Sequence, residues 1–214
     1  MNWEQLFKAQ AELDNHIIEE KGLQGQDLLD KKILALQVEL GELANEWRGF
    51  KFWKVAPKPN VEEEVKCTYC DGTGDLNHDA IQEDAENDRK KHEYIDCDEC
   101  DCSGVSGVRN PLLEEYVDCL HFILSIGNDL EVQKVIEIDI TDIRTTVDIN
   151  GGILSGFKIL YGLSSLDWLD EYDWLELAEY FNGLGAMLGF TEEQIEEAYF
   201  SKNKINHERQ ENAY

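Results

Sequence analysis

Apolar residues at Ile33, Leu36, Leu40, Leu43 and Trp47 step by three and four, the period that turns one face of a helix toward a core. The N-terminal run WEQLFKAQAELDNHIIEEKG repeats this with Leu6, Ala9, Leu13 and Ile17, and Gly22 is its expected stop. Asn110 followed by Pro111 predicts another helix start. The helix it opens, LLEEYVDCLHFILSIG, is apolar in nearly every direction after Asp118, as a central buried helix would be. WLDEYDWLELAEYFNGLGAML is a further amphipathic stretch, and Thr191 with Gln194 predicts a capping box for a last helix, EEQIEEAYFSKNKINHERQ. Between them, VIEIDITDIRTTVDINGGILSGF alternates Ile136, Ile138 and Ile140 like a strand, yet reads as irregular. Its GGILSG lacks the Gly-Lys-Ser/Thr ending of a phosphate loop, so the glycines are read as turns.

The three prolines, Pro57, Pro59 and Pro111, bracket a segment of different composition, rich in Asp, Gly, Cys and Lys and poor in Leu and Phe. Such a shift predicts an inserted module at 57–110 within a helical domain formed by 1–56 and 111–214. Five of the six cysteines lie inside it. CTYCDGTG and CDECDCSG are each a CxxC followed by glycine, and Cys67, Cys70, Cys97 and Cys100 are the expected ligands of one structural, tetrahedral Zn²⁺. Cys102 is an alternative to Cys100 or a spare thiol, and His78 and His92 are poorer candidates. With so few apolar residues the module needs a metal staple to fold. The first knuckle resembles the CxxCxGxG repeats of the DnaJ-type chaperone cysteine-rich domain, which carries four such repeats where this chain has one pair of knuckles.

A chain of 214 residues suffices for one domain with an insertion. Its net charge of −27 repels nucleic-acid polymers and anionic membranes. No apolar run approaches the roughly 18 residues of a membrane span, and no signal peptide opens the chain, so a cytoplasmic protein is expected.

The acids are not evenly spread. QVELGELANEW carries Glu39, Glu42 and Glu46 at helical spacing, and EEYVD places Glu115 and Asp118 on one face of the next helix. A solvated face is the simpler explanation for the first row alone. Asp118, however, sits among Val117, Cys119, Leu120 and Phe122, where an uncompensated carboxylate is costly. Arg48 is the one base nearby, so divalent cations are the better compensation, and oxygen-only ligands favour Mg²⁺ or Mn²⁺. A di-iron bundle would need two Glu-x-x-His motifs, whereas Asp118-x-x-His121 occurs once, and His121 is read as a packed core histidine. In the last helix Lys202, Asn206 and Arg209 line one face, a phosphate clamp if an anionic substrate binds with metal.

ELGELANEWRGFKFWK, LEEYVDCLHFIL and YFSKNKINHERQENAY, in this order, resemble the dimeric all-α dUTPases, relatives of the MazG-like nucleotide pyrophosphohydrolases. The resemblance implies an all-α helical bundle, a homodimer that rearranges around its substrate, and Mg²⁺-dependent hydrolysis of dUTP to dUMP and pyrophosphate. It also implies that Glu39, Glu42, Glu115 and Asp118 hold two or more Mg²⁺ ions, with Glu39 directing water at the α-phosphorus. Gln10 falls where the family places a uracil-reading amide, and Asp14 where the family pattern has Asn. Trp53 and Lys54 match a segment that packs near the nucleotide, and Lys202, Asn206 and Arg209 match the phosphate-binding motif. The cysteine module departs from the family pattern and is a possible site for a protein partner. Two other readings stay open: a pyrophosphohydrolase for dCTP or other nucleotides, or a regulatory module in which zinc knuckles bind a partner on a helical scaffold.

Overall fold

A computed structural model describes residues 1–135, 138–143, 149–166 and 169–212. The chain divides into two compact units, one of Met1–Pro59 with Leu112–Tyr214, the other of Asn60–Pro111.

The first unit is helical: α1 (Trp3–Glu20), α2 (Leu29–Trp47), and then, beyond the second unit, a long helix from Pro111 to Asp129 and three more near Ile153–Leu163, Glu171–Leu188 and Glu192–Glu211. The second unit contributes β1 (Glu63–Lys66), α3 (His78–Glu86) and β2 (Val105–Arg109), which makes the later helices α4 to α7. The described residues are thus all-α apart from one small antiparallel sheet, β1 with β2.

Helix α4 is central, with Leu112, Tyr116, Val117, Leu120, Ile123, Leu124 and Ile126 all buried. Tyr116 stacks on Phe181 of α6 at 4.2 Å and donates its hydroxyl to the Phe181 carbonyl. Trp174 of α6 donates its indole N–H to the Ile123 carbonyl, satisfying a polar atom that burial would otherwise orphan. Gly127 lets Trp174 and Phe7 close over α4; a Cβ there would meet their rings at 2.7 and 2.8 Å. Helix α1 lies against α7 and α5 against α6.

The caps follow local chemistry. Thr191 and Gln194 form the expected box at the start of α7. Asp170 and Asp173 form another at α6. Among the described residues between α4 and α5 stand short 3₁₀ turns at Val132–Lys134 and Ile140–Asp142 and no strand. Ile136 and Trp168 lie outside the described residues. The glycine-rich stretch differs from its reading as turns alone. Gly151 and Gly152 do turn, at φ of 100° and 81°, but α5 begins at once, and Gly156 is buried within it. Leu154, Phe157, Ile159 and Leu160 put apolar residues on several sides of that helix, so no helical stripe shows in the sequence.

Candidate active site

Helices α2 and α4 bring acids together. Glu39, Glu42 and Glu115 each offer a carboxylate oxygen within 4.8 Å of the others. Burial, and then repulsion from Asp118 and Glu42, pushes the Glu39 carboxyl up to about 7; burial and the same neighbours with Glu39 do so for Glu115. Three acids at this spacing are a poor anion cluster and a good hard-cation site, because a divalent ion removes the repulsion that raises their pKa. Asp118, the fourth expected ligand, is directed to Lys202 of α7, whose Nζ lies 2.5 Å from Oδ2. Glu46 pairs with Arg48 at 3.5 Å and is not in the cluster.

A cavity of about 260 Å³ adjoins these acids, lined by Glu39 and Asp118, by Lys202, Asn206 and Arg209 of α7, and by Gln10, Asp14, His121 and Ser125. Acidic and cationic groups thus share one cavity. Trp53 and Lys54 are exposed in the turn after α2 and are not among the lining residues.

Sequence reasoning missed the polar chain behind the cavity. Gln10 donates to Asp14 at 2.8 Å, and its carbonyl oxygen accepts from the Tyr199 hydroxyl at 2.9 Å and from His121 Nδ1 at 2.7 Å. Ser125 donates to the other oxygen of Asp14 at 2.7 Å, and Lys32 stands 3.8 Å away. His121 is buried and stacked on Tyr199, as a packed histidine would be, but it also lines the cavity. A signal existed: Asp118, His121 and Ser125 step by three and four along α4. Tyr199 and Lys32 left none.

In the second unit Cys67, Cys70, Cys97 and Cys100 are buried together. Their sulfurs approach to 3.9 Å (Cys67 and Cys97) and 3.7 Å (Cys70 and Cys100), close to the edge of about 3.8 Å that a tetrahedron with Zn–S near 2.3 Å requires. The two knuckles repeat one another. The Gly74 amide donates to Cys70 Sγ and the Gly104 amide to Cys100 Sγ, at 3.2 and 3.3 Å. Cys67 N–H donates to the Gly104 carbonyl while Cys97 N–H donates to that of Gly74. Only glycine fits these crossings: each has φ near +75°, and a Cβ would stand 2.2 Å from the Cys102 carbonyl oxygen or 2.3 Å from that of Gly72. Cys102 occupies the place Gly72 holds in the first knuckle, its amide donating to Cys97 as that of Gly72 does to Cys67, and it is exposed outside the cluster. His92 bonds Asp84 and His78 bonds Asp79. The four clustered thiols fit a zinc ion.

An all-α bundle in which clustered carboxylates adjoin a cavity that also meets Lys202, Asn206 and Arg209 defines a class of proteins suited to anionic, phosphorylated substrates. The chain belongs to the dUTPase family, whose model matches residues 2–101 and 106–214. It is therefore a dUTP diphosphatase, a hydrolase of dUTP, in agreement with the resemblance carried by its three motifs. Neither the curated proteins nor the solved structures contain a match to it. No helix among the described residues is long and apolar enough to cross a membrane.

Proposed function

We propose that the cavity beside α2, α4 and α7 cleaves dUTP to dUMP and pyrophosphate by attack of water on the α-phosphorus, with Mg²⁺ as the required ion. The observation that carries this is the convergence of Glu39, Glu42 and Glu115 at the edge of a cavity whose α7 side presents Lys202, Asn206 and Arg209. A triphosphate would be repelled by the acids alone, and the three α7 residues alone could not offset them. Two or more Mg²⁺ ions on Glu39, Glu42, Glu115 and Asp118 would neutralise the phosphate oxygens and lower the pKa of a bound water.

The chain's own groups do the rest. Glu39, which lines the cavity and is ionised once a divalent ion relieves the repulsion, is suited to orient the attacking water and accept its proton. Lys202 neutralises Asp118 and moves to a phosphate oxygen when substrate arrives, beside Asn206 and Arg209. Gln10 keeps one amide hydrogen beyond its bond to Asp14, which suits a uracil carbonyl, and Asp14 suits the N3–H donor. Trp53 and Lys54 reach the nucleotide only on closure of their exposed turn.

The helical unit is the nucleotide hydrolase, and the cysteine module holds structural Zn²⁺ and is open to a protein partner. The enzyme is a cytoplasmic homodimer; exposed Leu34 and Val38, one turn apart on α2, support a partner helix there. Pyrophosphate release measured with each deoxynucleoside triphosphate, with and without Mg²⁺, tests the reaction. Turnover that prefers dUTP and needs the ion is expected; equal turnover of dCTP, or none, refutes it. Light scattering at several concentrations tests the dimer.

A further inference from the structure

His121 carries a buried polar atom with no explanation in the fold. Its Nδ1 stands 2.7 Å from the Gln10 carbonyl oxygen, which can only accept, so Nδ1 holds the proton and Nε2 is left with a lone pair. The Gln10 orientation is set in turn by Asp14 at one end and the Tyr199 hydroxyl at the other. That Nε2 is buried without a hydrogen-bond partner among the described residues, in a side chain that is 6% exposed and lines the cavity. A buried acceptor left unpaired costs stability, and such orphans in native folds call for a partner supplied from outside the chain. Burial, and then the Lys202 charge, holds the imidazole pKa down at about 3, so the nitrogen remains an acceptor at neutral pH.

An ionised deoxyuridine triphosphate brings two hydrogen-bond donors, the 3′-hydroxyl of the sugar and N3–H of the base. The spacing along α4 distinguishes them. His121 lies one turn beyond Asp118, about 4.5 Å along the axis, and Ser125 with its partner Asp14 lies about 10.5 Å beyond it, at 1.5 Å per residue. With the α-phosphorus at the acids, the sugar hydroxyl is the nearer donor and N3–H the farther. We propose that neutral His121 accepts a hydrogen bond from the substrate's 3′-hydroxyl through Nε2, and that Gln10 is the positioning residue that fixes the tautomer. This rests on the dUTP reading of the cavity and adds a sugar-reading residue to it.

The test is kcat/KM for dUTP, for its 2′,3′-dideoxy analogue and for N3-methyl-dUTP, in wild type and in His121→Phe, with folding checked by circular dichroism. Wild type should favour dUTP over the dideoxy analogue by about tenfold or more, the scale of one unpaired buried group. In His121→Phe that preference should vanish to within about twofold, with the N3-methyl penalty unchanged. A preference that survives in the variant overturns the proposal. So does a wild type indifferent to the 3′-hydroxyl, a reading that needs no variant. Transfer of the loss to N3-methyl-dUTP would make His121 a base reader, and a shifted Mg²⁺ requirement would make it a metal ligand; either refutes the sugar assignment. If His121→Phe does not fold, His121→Asn, which is smaller and polar, takes its place. A wild type inactive on dUTP refutes the proposed reaction itself, a result distinct from all of these.

Discussion

The helical unit and the cysteine module fold on different principles. In the first, α4 is wrapped by leucines, isoleucines and stacked aromatic rings, and its stability is spread over many interchangeable contacts. In the second, the buried apolar cluster is four thiols, and the sheet of β1 and β2 is exposed on both sides. Hydrophobic burial is cumulative and tolerates single losses, whereas a tetrathiolate site works only when every ligand is present. The helical unit is free to hold a strained, repulsive acid cluster because its core carries that cost. The module has no such reserve.

The sharpest way to break this contrast is Cys67→Ser or chelation of zinc. Structural zinc contributes on the order of 10 kcal/mol to such small sites, so the module should lose its metal and its hydrogen-exchange protection while the helical unit still melts cooperatively. Protection persisting in the module without metal would refute the distinction.

Glu39→Gln should come next, with kcat lowered by about 10²-fold or more. The metal-free variant should melt no lower than wild type, because a carboxyl held at about 7 is a repulsive group and its amide is not. Retained activity would remove Glu39 from the mechanism, and a large drop in melting temperature would make it structural.

Gly127→Ala probes the core. Its methyl would press on Trp174 and Phe7, and overpacking of this kind costs about 1–3 kcal/mol. A lowered melting temperature for the helical unit with unchanged zinc content is the expected result, seen by calorimetry and metal analysis.

The smallest effect concerns pH. Glu39 and Glu115 have folded-state pKa values near 7 against an ordinary 4.5, so the folded state binds more protons between those values. Stability from these groups is complete below 4.5 and is lost as pH rises through 7. His121, held near 3, acts oppositely below 6.5, so the carboxylate slope is cleanest close to pH 7. Thermal melts of metal-free protein should decline there, and added Mg²⁺ should flatten the curve. The module's melt should show no such dependence on Mg²⁺.

Much of this was legible in advance where the signal is local. Leu36, Leu40 and Leu43 mark α2, Asn110 and Pro111 announce α4, and Thr191 with Gln194 starts α7, since period and capping act within a few residues. Helix α5 was hidden because its apolar residues fall on several faces and its start is a glycine turn. Helix α3 is nine mostly polar residues in a segment already assigned to the knuckles.

By itself the sequence determined that two acid pairs lie on helix faces, that two CxxC motifs each turn on glycine, and that the last helix bears a cationic row. Each is a consequence of spacing along one element. Only the tertiary structure decided that Lys202 neutralises Asp118, that Glu46 stands apart with Arg48, that Cys102 fills a glycine's place outside the thiol cluster, and that Gln10 orients His121. These pairings join residues of different helices or depend on which side chain a turn leaves outside. The pairings across helices follow from how elements pack against one another, and the two local ones from the left-handed turns at Arg48 and Cys102, which no apolar period encodes.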